Sequence, residues 1–516
     1  MLALVVRRRW LAVLLVGGLG FAGSLAMTLR HGAPLPVYHD ELSYLLAADT
    51  FLQGRLANPT HPFWPHFETF HVIQRPTYVS KYPPGQGLLL ALGARLGGRP
   101  IVGVWLGALA LGAALCWMLQ GWLPPRWALL GGALAVVHVG VFTYWGRSYF
   151  GGALPAAGGA LVFGALPRLL RRGRPRDAVW LALGLAVLAN TRPYEGAVVS
   201  LAAAAPLGAW LRRSPHRHQW RRSVAPLVLV LGLAGAAMLL YNRATTGEAW
   251  RAPYTVYEES YSKRPLFVWE GLRQAPEPRH PLMSRFYEEW LIGAYHEQRT
   301  WTGWLGTLGR RLESTWAVFL GPVLTLPCLL LPWILRWRGV LLAVAASSLF
   351  LLTALAALSH KPHYAAPVLG LVFLAVIQGL RRGVSRVRSR RRLAGVLLAV
   401  FLAAALAERV AYTDPILRVG EPRSCGRPKA EVADFLRGQD GRDLVFVRYG
   451  PWADIHDEWI ANAADVDAAE IVWALSIGPE DDRLLRRHFA DRVAWRVEIG
   501  MDRGGAIRFD RYPAPD

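Results

Sequence analysis

The chain has little cysteine and few acidic residues. Of its three cysteines in 516 residues, Cys116 and Cys328 fall inside apolar runs, and Cys425 lies in a polar region. This distribution excludes a disulfide framework. Only 18% of the residues are charged, and 36 Asp and Glu against 58 Lys and Arg give a formal net charge of +22. The chain is therefore basic without being rich in charge.

Further absences narrow the function. No glycine-rich nucleotide-binding loop is evident, so a cytoplasmic nucleotide donor is not supported. No internal repeat of the kind that marks many transporters is evident either. Nucleic acid is excluded as a partner, because the Arg clusters lie between apolar runs, where the orientation signals of membrane proteins belong.

Apolar runs near membrane-spanning length recur along most of the chain, which is 53% hydrophobic. We therefore predict a mainly α, polytopic membrane protein with about eleven transmembrane helices. Arginines at positions 7–9 place the N-terminus in the cytoplasm. A cleaved signal peptide is the alternative for the first run, but an uncleaved span is favoured because many spans follow. The predicted spans are 10–29, 100–121, 126–144, 153–170, 177–191, 195–211, 223–241, 313–335, 339–358, 364–380 and 393–411.

The short apolar run "GQGLLLALGARLGG" (85–98) decides the orientation of all the later spans. Its 14 residues are too few to cross a bilayer core about 30 Å thick as a helix. If this run does not span, the Arg clusters at 167–176, 211–222, 336–338 and 381–392 all face the cytoplasm, whereas they all face outward if it does. The positive-inside rule therefore favours a re-entrant or interfacial helix on the outer side.

Three long regions then lie outside the cell: 30–99, 242–312 and 412–516. The last contains the strand-like runs "DLVFVRYG" and "VAWRVEIG" and the amphipathic "PEDDRLLRRHF", a pattern typical of a small α/β domain. We predict a transmembrane domain over 1–411 and an extracytoplasmic α/β domain over 412–516. The protein is expected to be a multi-pass protein of the plasma membrane.

Two adjacent carboxylates open the stretch "YHDELSYLLAADTF" (38–51), directly after the first span. Asp40 stands where an N-cap belongs, which predicts a structural role. A cap needs only one carboxylate, however. The amphipathic helix is expected to rest on the membrane surface, where a carboxylate can meet a lipid-borne substrate. The stretch alone supports a capping role and a catalytic role for Asp40 equally.

Cations recur at the outer membrane edge, although short outer loops should be poor in them. Four outer segments each hold one: Lys81, Arg147, Arg192 and Lys361. Snorkelling or a local ion pair explains each one alone. Together they indicate an anion at the outer surface, and phosphate suits Arg through bidentate hydrogen bonds. A lipid phosphate carrying a group to be transferred fits the cations, with the carboxylate as general base.

These segments resemble the GT-C superfamily of membrane glycosyltransferases, and within it the protein O-mannosyltransferase and lipid A aminoarabinose transferase group. "HDELSYLLAADTFLQGRL" resembles the first outer loop of that group, and "SKYPPGQGLLLALGARLGG" resembles its Lys–(x)–Pro–Pro segment. "LGLAVLANTRPYEG" and "KPHYAAPVLGLVFLAVIQGL" resemble two further segments near the donor phosphate. The resemblance covers roughly residues 1–380 in layout, and the C-terminal domain has no clear counterpart.

The resemblance implies a glycosyltransferase, expected to be inverting, that moves a hexosyl or pentosyl group from a polyprenyl-phosphate donor to an unknown glycan, lipid or protein acceptor. Asp40 is implied as the catalytic base, and Lys81 and Arg192 as donor-phosphate cations. Tyr82 separates Lys81 from the first proline, which is a variant spacing. Further candidates for substrate binding are Glu41, Tyr82, Arg147, Lys361, His363 and Tyr364.

Other readings stay open. A transporter or flippase of lipid-linked sugars would need ionisable residues at mid-depth in the spans, whereas here they cluster at span edges. A non-catalytic membrane assembly protein is the third reading. In the second outer region, aromatic residues alternate with carboxylates such as Glu258, which suits either sugar binding or, as we favour, an interfacial aromatic belt.

The sequence requires no cofactor. His61, His66, His71 and Glu68 offer metal-ligating groups, but they recur at a spacing that does not share one helical face, and prolines interrupt the segment. A divalent metal is therefore left without support, and no metal site is predicted.

Overall fold

The protein is described by a computed structural model that covers residues 7–213, 217–335, 337, 339, 342–343, 345–348, 357–358, 361–387, 391–418 and 426–512. The chain divides into two compact units. The first contains Met1–Ala33, Ile101–Met238 and Trp301–Val419, and the second contains Pro34–Pro100, Leu239–Thr300 and Gly420–Asp516.

The α-helices in chain order are α1 (Arg9–His31), α2 (His39–Leu52), α3 (Pro84–Gly97), α4 (Ile101–Trp122), α5 (Pro125–Ala135), α6 (Ala153–Arg172), α7 (Pro175–Ala189), α8 (Pro193–Arg213), α9 (Arg217–Thr246), α10 (Pro253–Tyr261), α11 (Pro281–Ser284), α12 (Leu291–Arg299), α13 (Trp301–Phe319), α14 (Gly321–Thr325), α15 (Leu331–Ile334), α16 (Leu369–Arg386), α17 (Arg391–Arg418), α18 (Gly426–Arg437) and α19 (Pro479–His488). The strands are β1 (Asn58–Pro59), β2 (Val72–Ile73), β3 (Thr77–Ser80), β4 (Asp443–Tyr449), β5 (Ile471–Leu475), β6 (Val493–Ile499) and β7 (Arg508–Arg511). Short 3₁₀-helices lie at Trp64–Phe67, Tyr144–Gly146, Leu326–Leu330 and Pro362–Val368, and π-helical turns lie at Val136–Val141 and Arg285–Trp290.

Six helices within the described ranges are long and apolar enough to cross a membrane. A seventh span is counted if the pair Trp301–Phe319 and Gly321–Ile334, bent by 92°, forms one. The predicted count of eleven is not confirmed. The predicted spans 126–144 and 177–191 coincide with the shorter apolar helix Pro125–Val141 and with the 15-residue α7. The predicted span 339–358 lies largely outside the described residues, as does Cys425.

Close approach between α1 and α4 explains the small residues of the first unit. A Cβ added at Gly20 would lie 2.4 Å from the carbonyl oxygen of Ala108, and one at Gly112 would lie 2.5 Å from that of Val16. Glycine therefore allows the two backbones to touch. This is the way apolar helices associate when the surrounding solvent is equally apolar.

The C-terminal segment forms the predicted α/β domain. Its sheet has the order β5-β4-β6-β7, in which β4 runs parallel to β5 and β6 and β7 is antiparallel to β6. The helix α19 connects β5 to β6, as the amphipathic run "PEDDRLLRRHF" predicted. The α/β character of the domain is thereby confirmed, while the boundary at 412 stays a prediction.

The second unit is larger than this domain, because both long outer regions fold with it. One core combines Phe70 and Val79 from the first outer region, Tyr257 from the second, and Val445 and Val497 from the sheet. The burial of these side chains from three distant segments supplies the main stabilisation of the unit.

The helix α2 is attached to the C-terminal segment at both of its ends. Near its start, the ring Nε2 of His39 is 2.8 Å from the carbonyl oxygen of Ile455. Near its end, the backbone N–H of Ala464 donates to the carboxylate of Asp49 at 2.7 Å. The C-terminal domain therefore supports the helix that carries Asp40.

The helix α3 packs tightly on α2. Pro84 begins α3, where its fixed φ suits a first helical position, and Gly98 ends it in the left-handed region. A Cβ added at Gly87 would lie 2.7 Å from the Cβ of Ala47 on α2. The predicted short helix at 85–98 is thus present, and a glycine sets its distance from α2.

We expect Gly87→Ala to lower the apparent unfolding temperature of the purified protein, because the added methyl must push α2 and α3 apart at a cost of roughly 1–3 kcal/mol. The matched control is Gly293→Ala in α12, where an added Cβ meets nothing within 4 Å. The control should be neutral or slightly stabilising. Equal unfolding temperatures for the two variants would contradict the packing described here.

Candidate active site

Glu41, and not Asp40, caps the helix α2. The helix begins at His39, so Asp40 is its second residue, and the prediction of Asp40 as the N-cap is wrong. The Glu41 carboxylate is buried and accepts hydrogen bonds from the backbone N–H groups of Val37 at 2.9 Å and Tyr38 at 3.1 Å. A glutamate at the third helical position reaches back in this way in a capping box. Its substrate-binding role stays a prediction beside this structural one.

The carboxylate of Asp40 is half-buried and accepts a hydrogen bond from the hydroxyl of Tyr82. Tyr82 is itself held in place. Its ring stacks on that of Tyr44 at 4.5 Å between centroids, and its backbone N–H donates to the hydroxyl of Ser80 at 3.2 Å. The "KYPP" segment therefore orients the carboxylate that the resemblance assigns as the base.

Hydrogen bonds of backbone and hydroxyl groups also hold α2 to the segment before Lys81. The Ser43 hydroxyl donates to the carbonyl oxygen of His71 at 2.6 Å and lies 2.7 Å from the hydroxyl of Ser80. His71 has a φ of +61°, a left-handed conformation that is uncommon for residues other than glycine. The same carbonyl accepts the backbone N–H of Lys81 at 3.0 Å, so His71 connects α2 to the "KYPP" segment.

Lys81 is buried in an aromatic and anionic environment. Its Nζ lies 3.0 Å from a carboxylate oxygen of Glu258. The rings of Tyr257 and Tyr254 face the same nitrogen, with centroids 4.5 Å and 4.8 Å away, and that of Tyr82 is 5.5 Å away. Tyr82 thus contacts both Asp40 and Lys81. The role of Lys81 as a donor-phosphate cation stays a prediction, and its charge is offset here by Glu258.

Sequence reasoning missed the role of Glu258, which it placed with an aromatic belt. Glu258 is 177 residues from Lys81, so no local spacing could have joined them. The exposed Trp250 and Trp269 of the same outer region suit a belt or a surface for ligands. Tyr254 and Tyr257 instead enclose Lys81.

We expect Glu258→Gln to destabilise the protein by roughly 3–5 kcal/mol, because the buried ammonium of Lys81 loses its counter-charge. The neighbouring Glu259→Gln is the matched control, since Glu259 pairs with Arg251 at the surface, where such a pair is worth less than about 1 kcal/mol. Thermal unfolding of both variants in detergent measures the difference. A Glu258→Gln protein as stable as the control would show that the Lys81 pair is not energetically significant.

A second group of predicted residues comes together in the first unit. The guanidinium of Arg192 lies 4.3 Å above the ring centroid of Tyr364. His363 is buried, and its Nδ1 lies 2.9 Å from the hydroxyl of Tyr144. Stacking occupies the face of a guanidinium while its N–H groups point along the edges. The geometry at Arg192 is therefore compatible with the phosphate contact predicted for it.

The two other predicted cations of the first unit make different contacts. Arg147 reaches the carbonyl oxygen of Gly32 at 3.5 Å. Lys361 is exposed, directly before the 3₁₀ turn that carries His363. Their roles in substrate binding stay predictions.

His39, beside Asp40, is a buried histidine that the sequence did not single out. Its ring stacks on Phe70 with centroids 3.7 Å apart. Burial, with a contribution from the nearby His456, lowers the pKa of His39 to about 4. Burial and the charge of Lys81 also lower the pKa of His71. The imidazoles of His39, the first residue of α2, and of His71 are therefore neutral at neutral pH.

The second unit should lose stability on acidification. An unfolded chain protonates its histidines near pH 6.5, whereas folded His39 stays neutral down to about pH 4. The unfolded state thus binds more protons between these values, and stability falls as pH falls through this window, by on the order of 3 kcal/mol for His39.

The measurement is the apparent unfolding temperature between pH 7 and pH 4.5. His39→Gln, which keeps a side-chain N–H for Ile455, should reduce the acid-induced drop. Exposed His296 provides the control, since His296→Gln should leave the drop unchanged. An unchanged drop in His39→Gln would contradict the assignment.

The histidines weighed as metal ligands do not converge. The Nδ1 of His66 bonds to the carbonyl oxygen of Leu475 at 2.8 Å. Glu68 accepts the backbone N–H groups of Arg279 at 2.9 Å and His280 at 3.1 Å. These contacts give His66 and Glu68 structural roles in joining the outer regions to the rest of the second unit.

Comparisons with known proteins identify the fold. No protein-family model matches the chain, and no curated protein matches its sequence. Solved structures match along nearly all of it, and the chain shares the fold of structures from the GT-C superfamily, which agrees with the predicted resemblance.

The matching structures include two of ArnT from Cupriavidus metallidurans. The one bound to undecaprenyl phosphate has a TM-score of 0.53 and 12% identity and covers 94% of this chain and 92% of its own. The one in the apo state has a TM-score of 0.50 and 14% identity and covers 92% of each chain. The apo oligosaccharyltransferase of Archaeoglobus fulgidus has a TM-score of 0.49 and 10% identity and covers 94% of this chain and 69% of its own. At these identities the likeness concerns the fold.

Proposed function

We propose that the protein is a membrane glycosyltransferase that moves a hexosyl or pentosyl group from a polyprenyl-phosphate donor to an acceptor at the outer face of the plasma membrane. The fold shared with ArnT supports this class of enzyme. One such structure holds undecaprenyl phosphate, which supports a lipid phosphate as the leaving group. The acceptor is a nucleophile at the membrane surface.

The observation that carries the proposal is the separation of roles between the two adjacent carboxylates. Glu41 caps the helix, so capping does not account for Asp40. Asp40 is half-buried on the first turn of α2 and is oriented by the hydroxyl of Tyr82. A carboxylate fixed by one hydrogen bond at one oxygen keeps acceptor capacity for a proton at the other.

In the proposed step, a hydroxyl or amine of the acceptor attacks the anomeric carbon of the donor sugar. The bond between that carbon and the phosphate oxygen breaks, and the polyprenyl phosphate leaves with the electron pair. Asp40 takes the proton of the attacking group, so atoms and charges balance. A single displacement of this kind inverts the configuration at the anomeric carbon. Cations at the leaving phosphate stabilise the charge that develops there, the role predicted for Lys81 and Arg192.

The orientation of the chain belongs to the proposal as well. The positive-inside rule supports a cytoplasmic N-terminus and an extracytoplasmic C-terminal domain. With this orientation, α2 and the "KYPP" segment lie on the outer side, where a lipid-borne donor is consumed.

The transporter alternative depends on ionisable residues deep in the spans. Arg409 of α17 is a buried example, and its guanidinium bonds to His138 and to the carbonyl oxygens of Ala317 and Val318 at 3.1 Å. It lies three residues before Tyr412, the end of its candidate span. These carbonyl contacts and its place near a helix end suit a structural brace better than a transport path.

We expect Asp40→Asn to lower sugar transfer at least about 100-fold, the range expected for loss of a general base. The unfolding temperature should stay near the wild-type value, because Asn keeps an oxygen that can accept from Tyr82. The assay uses proteoliposomes with a panel of synthetic undecaprenyl-phosphate sugars. An envelope extract from cells lacking this gene serves as the acceptor pool, and free undecaprenyl phosphate is measured by mass spectrometry.

Glu41→Gln is the matched control, since it removes the adjacent charge and keeps an oxygen for capping. It should transfer sugar at a rate within a few-fold of wild type. Full activity in Asp40→Asn would exclude Asp40 as the base, whereas no transfer by the wild-type protein would favour the assembly-protein reading. Equal losses in both variants would assign the effect to the helix start instead.

A further inference from the structure

Three side chains at one edge of the second unit bring their ligating atoms together. They are His61 from the first outer region, Asp467 from the segment before β5, and His488 at the end of α19. One candidate ligand atom from each lies within 4.8 Å of the other two. The same Asp467 oxygen is 3.2 Å from Nε2 of His61 and 2.9 Å from Nε2 of His488. Sequence spacing could not show this grouping, because the three residues are far apart in the chain.

The chemistry of the three groups suits a divalent transition metal. Two imidazoles and one carboxylate form a ligand set that Zn²⁺ accepts, and solvent completes the coordination where the site is open. Asp467 and His488 are partly exposed, which leaves room for water, whereas His61 is buried. A neutral imidazole is the form that binds a metal.

We propose that His61, Asp467 and His488 bind a divalent transition-metal ion of the Zn²⁺ type, which fastens the first outer region to the C-terminal α/β domain. The ligands are not among the residues around Asp40 and Lys81. The metal is therefore structural and not part of the transfer step.

The hydrogen bonds of His61 define what must change when the metal binds. The backbone N–H of Phe63 donates to Nδ1 of His61 at 3.0 Å, so without metal the proton resides on Nε2 and points at Asp467. A metal at Nε2 replaces that proton, and Nδ1 then carries one instead. The Phe63 amide must leave Nδ1, so the turn at 61–63 rearranges on binding.

The test measures zinc bound to the full-length protein after removal of any affinity tag and treatment with a chelator. The protein in detergent is titrated with Zn²⁺ alone, and bound zinc is counted by mass spectrometry after gel filtration. We expect one Zn²⁺ per chain and a higher unfolding temperature with zinc. Asp467→Asn and His488→Gln should each weaken binding by at least the roughly 10–100-fold that is typical of losing an outer-shell partner, and should abolish the stabilisation. Both side chains are at the surface, so both variants should fold.

Matched controls are available in the same unit. Asp465→Asn removes a carboxylate two residues from Asp467, and His296→Gln removes an exposed imidazole outside the cluster. Both should bind zinc like wild type. The proposal is overturned if the wild-type protein takes up no zinc, because the three side chains then form only a hydrogen-bonded cluster. It is also overturned if Asp467→Asn and His488→Gln bind zinc as tightly as the controls, because the metal then resides elsewhere.

Discussion

The carboxylate of Glu41 determines where the chain enters α2, because it accepts the backbone N–H groups of Val37 and Tyr38. At a helix start these groups have no partner within the helix, so an unsatisfied pair would be costly if buried. Glu41 satisfies these two N–H groups. Asp40, one position earlier on the first turn, accepts the hydroxyl of Tyr82 instead. The candidate site depends on this assignment of one carboxylate to the backbone and the other to chemistry.

The second unit explains how such a short helix is held. The C-terminal domain contacts both ends of α2, through Ile455 and Ala464. The second outer region contributes Glu258 to Lys81, the residue before Tyr82. Two segments that are far apart in sequence thereby restrain α2 and the "KYPP" segment beside it. A general base needs this kind of preorganisation, because it must lie within hydrogen-bond distance of the proton that it removes. The C-terminal domain therefore has a structural role in the proposed site.

Local patterns predicted much of this architecture, and long-range contacts limited the rest. The apolar runs of α1, α4 and α6, the proline-initiated α3 and the strands β4 and β6 follow from nearest-neighbour rules of length, periodicity and capping. The sequence could not decide between Asp40 and Glu41 as the capping residue. The choice depends on the residue at which the helix begins, and the structure places that start directly after Tyr38. The Lys81–Glu258 pair and the His61–Asp467–His488 cluster join distant segments, and no spacing rule detects such contacts.

The pairing of Tyr82 with Asp40 is tested most directly by the single-turnover rate of sugar transfer in Tyr82→Phe, measured alongside its unfolding temperature. Phenylalanine keeps the stacking on Tyr44 and removes only the hydroxyl that donates to Asp40. A lost hydrogen bond to a charged group costs roughly 1.5–3 kcal/mol. We therefore predict transfer slowed by about 10-fold or more, and an unfolding temperature lowered by no more than the loss of this one hydrogen bond. A Tyr82→Phe protein that transfers sugar at the wild-type rate would contradict the account.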